Sequence, residues 1–359
     1  MEDLVNQWQG RRVFLTGHTG FKGGWLSLWL AMRGAQIRGY ALDPPSEPSL
    51  FAAANVAANL DDRRGDIRDL ARLEASMQEF RPEIVFHLAA QPLVRRSYAD
   101  PLGTYATNVM GTAHLLEAVR KTPSVRAVVC VTTDKCYENQ EWAWPYRERD
   151  PLGGHDPYSS SKACAEIVSA AYRSSFFPVN RLKEHGVALA TARAGNVIGG
   201  GDWSEDRLIP DLIRGFQTNQ PVRIRMPKAV RPWQHVLEPL HGYILLAEQL
   251  LAQRAQAASA FNFGPGEEDA WPVDRIANAA SAMWGGDATW VSDVHPGVHE
   301  AHSLRVDASK ARTELGWLPR LRTELALEWT VAWYQAWQMG ENMEEKTRDQ
   351  IARYEGLLH

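Results

Sequence analysis

Residues 11–24 read RRVFLTGHTGFKGG. The apolar run Val13–Leu15 closes on Gly17, Gly20 and Gly23 follow at three-residue steps, and GGWLSLWLAMRG continues as a helix that stops at Gly34. A buried strand, a glycine turn and a helix are the reading this order supports. Glycines at that junction let the turn close tightly and let a diphosphate approach backbone N–H groups at the positive end of the helix. The spacing is G-x-x-G-x-x-G, not the commoner G-x-G-x-x-G. The segment Gly17, Thr19, Gly20, Phe21, Lys22 and Gly23 is therefore a candidate dinucleotide cradle.

The same alternation continues down the chain. QIRGYALD (36–43), EIVFHLAA (83–90), RAVVCVTT (126–133) and GVALATARAG (186–195) read as strands, and a further strand is expected just before GDIRD. DLARLEASMQEFRP (69–82), GTYATNVMGTAHLLEAVRK (103–121) and YSSSKACAEIVSAAYRSSF (158–176) read as helices. Strands separated by helices at this spacing predict an α/β, Rossmann-like, doubly wound parallel sheet covered on both faces. Residues 1–199 are expected to form this NAD-binding domain. Residues 200–340 are expected to form a smaller α/β substrate lobe, with the chain able to cross back. The charged tail from Glu341 to 359 is expected to be a surface helix.

Composition excludes several classes. The 359 residues are 45% hydrophobic and 23% charged, with a net charge of −4 and no basic block, so nucleic-acid and membrane-surface partners are not expected. The N-terminus lacks the apolar core of a signal peptide, and no apolar run approaches the roughly 20 residues that span a bilayer. The three cysteines, Cys130, Cys136 and Cys164, form no C-x-x-C spacing, which argues for a reducing cytoplasm and against a metal site. The 14 tryptophans are read as core and helix packing.

Asp43 lies 20 residues after Gly23, at the end of the second strand, where an acid can bind the ribose hydroxyls and repel a 2′-phosphate. NAD is accordingly expected over NADP. Asp66 and Ile67 follow the third strand, where an adenine ring would lie. Leu88, Ala89 and Ala90 end the fourth, where small residues let a cofactor pass. Among ten tyrosines, Tyr158 alone has a lysine four residues later, Lys162, and this spacing puts both on one helix face. Asp156 and Pro157 before them suit an N-cap and a first-turn proline. A phenol is a weak base at neutral pH, and an ammonium group together with a positive nicotinamide would favour the phenolate. Thr133, at the preceding strand end, can hydrogen-bond the reacting hydroxyl. Beside it stand an acid and a base in succession, Asp134 and Lys135.

These residues resemble the extended short-chain dehydrogenase/reductase superfamily and, within it, the nucleotide-sugar 4,6-dehydratases. The likeness is carried by TGHTGFKGGWLSLWL, TTDKCYEN, GGHDPYSSSKACAE, RAGNVIGGGDW and RPWQHVLEPL, and extends to RVDASKARTELGW. It implies a tightly held NAD, a C-terminal lobe gripping the nucleotide sugar, CDP-glucose as that sugar, and a role in deoxysugar biosynthesis for cell-surface polysaccharide such as lipopolysaccharide O-antigen. It also implies a homo-oligomer, usually a dimer paired through long helices and possibly a tetramer. By position, Asn196 and Arg231 match contacts to substrate phosphates, with Arg207 a further candidate. Tyr158 would remove the 4-hydroxyl proton, Asp134 would protonate the departing 6-hydroxyl, and Lys135 would either take the C5 proton while neutral or stabilise the enolate while charged.

Two departures stand out. Related dTDP-glucose dehydratases carry Asp-Glu where this chain has Asp134-Lys135. A late arginine of the family is not evident in GVHEAHSLRVD, leaving His299, Glu300 and His302 as lobe residues without an assigned role. Alternatives remain: a dehydratase for another nucleotide sugar, a 4-epimerase or simple dehydrogenase, which needs no acid/base pair beside the tyrosine, and a non-catalytic NAD-binding regulator, which needs no tyrosine–lysine pair.

Overall fold

A computed structural model describes residues 7–253, 255–293 and 304–358. Seven parallel strands form the central sheet in the order β10-β6-β5-β4-β1-β2-β3. They are β1 (Arg12–Thr16), β2 (Gln36–Ala41), β3 (Asp61–Arg64), β4 (Ile84–His87), β5 (Ala127–Val131), β6 (Ala188–Ala194) and β10 (Ala260–Phe263). Every residue of β5 and β6 is buried, as continuous apolar runs between two helical layers require. β3, DDRR, is the polar edge, where Arg38 of β2 pairs with Asp61 at 2.7 Å.

Helices that bear on the site, in chain order, are α1 (Phe21–Met32), α2 (Leu70–Phe80), α3 (Pro101–Tyr105), α4 (Gly111–Arg120) and α5 (Pro157–Ser175). A π-helical turn, Ala106–Met110, joins α3 to α4. The strand order reverses between β1 and β4, which are neighbours although β2 follows β1 in the chain. Ligands of open α/β sheets lie at such switch points, beyond the strands' C-terminal ends.

The lobe contains a three-stranded sheet, β11-β9-β7, from β7 (Asn196–Ile198), β9 (Val230–His235) and β11 (Ala270–Pro272), and a parallel pair of β8 (Val222–Ile224) with β12 (Trp290–Ser292). Helices α6 (Leu208–Gln217) and α8 (Val273–Trp284) pack on each other. Between them in sequence, α7 (Leu237–Leu251) lies on β5 and β6, and β10 completes the large sheet. A single boundary at Gly199 therefore does not separate the two parts. Ala260–Phe263, inside the 200–340 span expected to form the lobe, is a strand of the main sheet.

Two long helices close the chain: α9 (Thr323–Gln338) and α10 (Met343–Gly356). The tail was expected to lie on the surface, but α10 buries one face: Met343, Thr347, Gln350, Ile351 and Tyr354. The Tyr354 hydroxyl donates to Glu238 at 2.8 Å, and Glu355 accepts from Trp29 Nε1 at 2.7 Å. Glu345, Asp349 and Arg353 are exposed, so overall polarity hid a packed stripe. Trp8, Trp25, Trp29, Trp317 and Trp333 are among the largest fully buried side chains, consistent with tryptophans serving the core. No helix among the described residues is long and apolar enough to cross a membrane.

Candidate active site

The glycine turn is built by close approach. Gly17 has φ +81°, and a Cβ there would stand 2.7 Å from the Ala89 backbone nitrogen; one on Gly23 would stand 2.1 Å from the Gly17 carbonyl oxygen. Gly20 is different: a Cβ there would meet only the Gly17 oxygen, at 3.4 Å, so that side of the turn is open. No side chain caps the start of α1. Its first amides are thus available to an anion, and the turn fits the diphosphate of a dinucleotide. The Thr19 hydroxyl instead donates to the Leu42 carbonyl at 3.0 Å, fastening the turn to the end of β2.

Asp43 lies two residues beyond the end of β2, with its side chain 91% exposed and 3.7 Å from Arg64 Nε. Asp66 is held by Arg68 at 2.6 Å, while Ile67 is buried against α4. Leu88 and Ala89 are bound to Thr16 through their amides, at 3.1 and 3.2 Å, and Ala90 follows half-buried. These residues line up beyond the C-terminal ends of β2, β3 and β4.

After β5 the strand breaks into a one-turn 3-10 helix, Asp134–Cys136. This break is what neighbours in a strand would lack: it lets consecutive residues share a cleft. The Thr133 hydroxyl donates to Asp134 Oδ1 at 3.0 Å and accepts from the Lys135 amide at 3.3 Å. Lys135 Nζ lies 3.6 Å from Asp134 Oδ1. Asp134 is buried, and Lys135 is one-third exposed. Asp156 caps α5 by accepting from the Ser159 amide at 2.9 Å, so Tyr158 stands in the helix's first turn as its N-cap signal indicated.

Burial, helped by the charge of Asp134, pushes the Tyr158 phenol up to about 12, against a hydrogen bond shared with Thr133 and the charge of Arg207, which pull it down. The sequence led us to expect a lowered phenol. In the chain itself desolvation wins, and Lys162 turns its ammonium to the Val131 carbonyl at 3.2 Å. Burial also takes Lys162 down to about 8. Lys22 falls to about 7, first through burial and then through the charge of Arg207; Asp134, Lys162 and Lys135 also act on it. The charges of Arg207, Lys162, Lys135 and the buried Asp134 thus all reach Lys22.

Arg207 ends the loop before α6 and is fixed by Asp202 at 2.7 Å. Asn196 begins β7 opposite Trp233, and Arg231 lies two positions before Trp233 on β9. A Cβ on the intervening Gly195 would stand 3.0 Å from Asp134 Oδ2 and 3.3 Å from Pro232. The lobe strand thus runs directly past the Asp134 carboxylate. His299, Glu300 and His302 lie outside the described residues.

Three buried groups were not read from the sequence. Glu166 sits one turn after Lys162, and its carboxylate takes Arg193 at 2.8 Å, Thr191 at 2.7 Å and the Thr132 hydroxyl. A step of four from Tyr158 to Lys162 to Glu166, and an arginine inside the apolar strand ALATARA, were the available signals. Asn108, on the π-turn, joins Gln91 at 2.8 and 3.0 Å to Ser161 at 2.9 Å.

A doubly wound sheet, an open glycine turn at its switch point and a buried tyrosine–lysine pair with an acid beside them define a nucleotide-dependent enzyme of the extended short-chain dehydrogenase/reductase type. The GDP-mannose 4,6 dehydratase family model matches residues 14–329, and the chain belongs to that family. It is 54% identical over 349 residues to the CDP-glucose 4,6-dehydratase of Salmonella typhimurium, covering 97% of each chain. It is 30% identical to the dTDP-glucose 4,6-dehydratase of Streptomyces griseus, over 82% of this chain and 83% of that one. Among solved structures, the UDP-glucose 4-epimerase of Thermotoga maritima superposes with a TM-score of 0.78 at 23% identity, covering 91% of this chain and 99% of that one. The dTDP-glucose 4,6-dehydratase of Bacillus anthracis, in complex with NAD, superposes with a TM-score of 0.75 at 21% identity, covering 93% and 100%. These two likenesses establish the fold.

Proposed function

We propose that the chain is an NAD-dependent hydro-lyase that converts CDP-glucose to CDP-4-dehydro-6-deoxyglucose and water, in the cytoplasm, for deoxysugar biosynthesis supplying cell-surface polysaccharide. The observation that carries this reading is the Asp134–Cys136 turn, which sets a buried acid next to a lysine, directly after the Thr133 that hydrogen-bonds Tyr158. The 54% identity to a CDP-glucose 4,6-dehydratase supports the substrate, and the three free cysteines fit a reducing compartment.

NAD, when bound, would accept hydride from C4 and return it at C6, and its positive ring would favour the Tyr158 phenolate. Gly17, Gly20, Gly23 and Lys22 would hold its diphosphate, Asp43 its ribose, and Asp66 with Ile67 its adenine. Tyr158, steadied by Thr133, takes the proton of the sugar 4-hydroxyl. The resulting 4-ketone acidifies the C5 hydrogen. Lys135, set beside Asp134 on the same turn, removes that hydrogen. Asp134, protonated at the start of the cycle, gives its proton to the 6-hydroxyl as it leaves as water; Lys135 then returns the proton to C5, and the 4-hydroxyl proton held by Tyr158 restores Asp134. Asn196, Arg207 and Arg231 grip the substrate phosphates, a task suited to guanidinium forks.

Incubation with CDP-, UDP-, dTDP- and GDP-glucose, followed by mass measurement, tests the substrate. Water should be lost from the CDP sugar; loss from another alone would reassign the base, and loss from none would sink the dehydratase reading. Lys135→Ala should slow solvent-hydrogen exchange at C5 by about 10²-fold or more. An active variant with unchanged exchange would remove Lys135 from the base role.

We further infer a homodimer. The adjoining α3, π-turn and α5 expose Leu102, Met110 and Ile167, large apolar side chains that a paired helical face would cover.

A further inference from the structure

The turn that carries Asp134 and Lys135 is weakly held by its own backbone. The Cys136 amide reaches the Thr133 carbonyl, and the Tyr137 amide the Asp134 carbonyl, only at 3.5 Å each. Hydrogen bonds of that length contribute little. Something else must fix the turn relative to α5.

Both flanks of the turn are tied to one buried ion pair. On the entering side, the Thr132 hydroxyl donates to Glu166. On the leaving side, the Tyr137 hydroxyl accepts from Arg193 Nη1 at 2.8 Å and donates to Asn262 Oδ1 at 2.7 Å. The Arg193 guanidinium also lies over the Tyr137 ring, 5.0 Å from its centre. Glu166 and Arg193 join each other at 2.8 Å with both side chains almost fully buried. Burial alone would push the Glu166 carboxyl up, but Arg193 and the two threonine hydroxyls outweigh it and hold it below its usual range. The carboxylate is therefore charged and saturated with donors. The Cys136 carbonyl accepts from the Gly153 amide at 2.9 Å, the Glu138 amide donates to the Pro151 carbonyl at 2.9 Å, and at the entry the Thr132 amide donates to the Ala192 carbonyl at 2.9 Å, so the backbone bonds tie the turn's two ends to β6 and to the following loop but not to α5.

We propose that the Glu166–Arg193 pair is a clamp that positions Asp134 and Lys135 against the sugar's C5 and C6, and so governs the elimination of water more than oxidation at C4. This rests on the dehydratase reading above. The division follows from connectivity. Tyr158 and Lys162 ride on α5 itself, whereas Asp134 and Lys135 ride on the turn that Thr132 and Tyr137 bracket. Loosening the brackets moves the second pair and leaves the first in place. Glu166 and Arg193 are positioning residues, acting through the turn.

Removing either member of the pair would strand a buried charge and risk misfolding. The test therefore uses Thr132→Val and Tyr137→Phe, singly and together, which keep shape and leave the ion pair intact. With NAD bound and CDP-glucose added in a single turnover, the double variant should form the 4-keto sugar at near the wild-type rate. It should then lose water about 10²-fold more slowly, the cost of a displacement near one ångström, so reduced nicotinamide absorbance accumulates. Amide hydrogen exchange, measured without substrate, should rise across residues 133–138 and stay unchanged in β6 and α5. Equal slowing of both steps, or unimpaired water loss, would overturn the proposal. Unchanged exchange at 133–138 would overturn it too. If the wild-type protein dehydrates no CDP-glucose, the substrate reading fails, and the exchange measurement still decides whether the clamp orders the turn.

Discussion

Lys22 stands in the first turn of α1, and its charge is opposed by burial and by Arg207, Lys162 and Lys135, with Asp134 alone in its favour. Its value near 7 makes it a reporter of anion binding. A diphosphate favours the protonated ammonium, so affinity should be full below pH 7 and fall as pH rises through about 7, by up to about tenfold per pH unit. Calorimetric titration of NAD from about pH 6 to about pH 9 should show this slope, and Lys22→Met should bind more weakly at the acid end and flatten the slope near pH 7; Lys162, at about 8, contributes only on the alkaline side. A slope unchanged in Lys22→Met would remove Lys22 from the cofactor site. Residues of this kind were legible because their chemistry is local. Tyr158 and Lys162 declare themselves by spacing, and Asp134 with Lys135 by adjacency after an apolar run. Glu166 and Arg193 were not singled out, because their meaning is a partnership across 27 positions between a helix and a strand. The phenol's upward shift was also out of reach, since desolvation depends on how deeply the finished fold encloses Tyr158.

At the scale of elements, strands β1, β2, β4, β5 and β6 and the helices α1, α2 and α5 follow from apolar runs and flanking residues that each carry their own signal. The π-turn does not. ATNVMGT reads as uninterrupted helix, and the wider turn forms because Asn108 is drawn to two partners off the helix, the Gln91 backbone and the Ser161 hydroxyl. Such turns often mark functional positions. Here it links the segment after β4 to the residue preceding Lys162. Asn108→Ala would leave buried donors and acceptors of Gln91 and Ser161 unmade, at a cost of about 1–3 kcal/mol. Thermal unfolding should record that loss, and kcat should fall with it because α5 loses a tether beside Lys162. A variant with unchanged kcat would make Asn108 purely structural. Edge strand β3 shows the converse limit: DDRR has no apolar pattern of its own and becomes a strand by pairing with β2.

At the scale of the whole molecule, sequence order is a poor guide to which layer a segment joins. β10 lies beyond the lobe's first strands in the chain yet completes the main sheet, and α10 is charged yet seals Trp29 and Glu238 against its inner face. The same uncertainty applies to surfaces, where a face can be exposed in one chain and covered in an assembly. Leu102, Met110 and Ile167 are each more than half exposed, which a lone chain has no reason to retain on neighbouring helices. A second copy meeting the same face through a two-fold axis would bury them together, with residues of one chain opposing their equivalents. Ile167→Glu places a charge in the middle of that contact, where burying it is costly. Since the residue touches solvent in the single chain, the fold should be untouched. Sedimentation of the wild-type protein should give twice the chain mass, and Ile167→Glu should give the chain mass with an unchanged circular dichroism spectrum. A wild-type monomer, or a variant that still pairs, would show that the helical face serves some other purpose. Because Tyr158, Asp134, Lys135 and Arg207 all come from one chain, the separated monomer should retain dehydration whenever it retains its bound NAD.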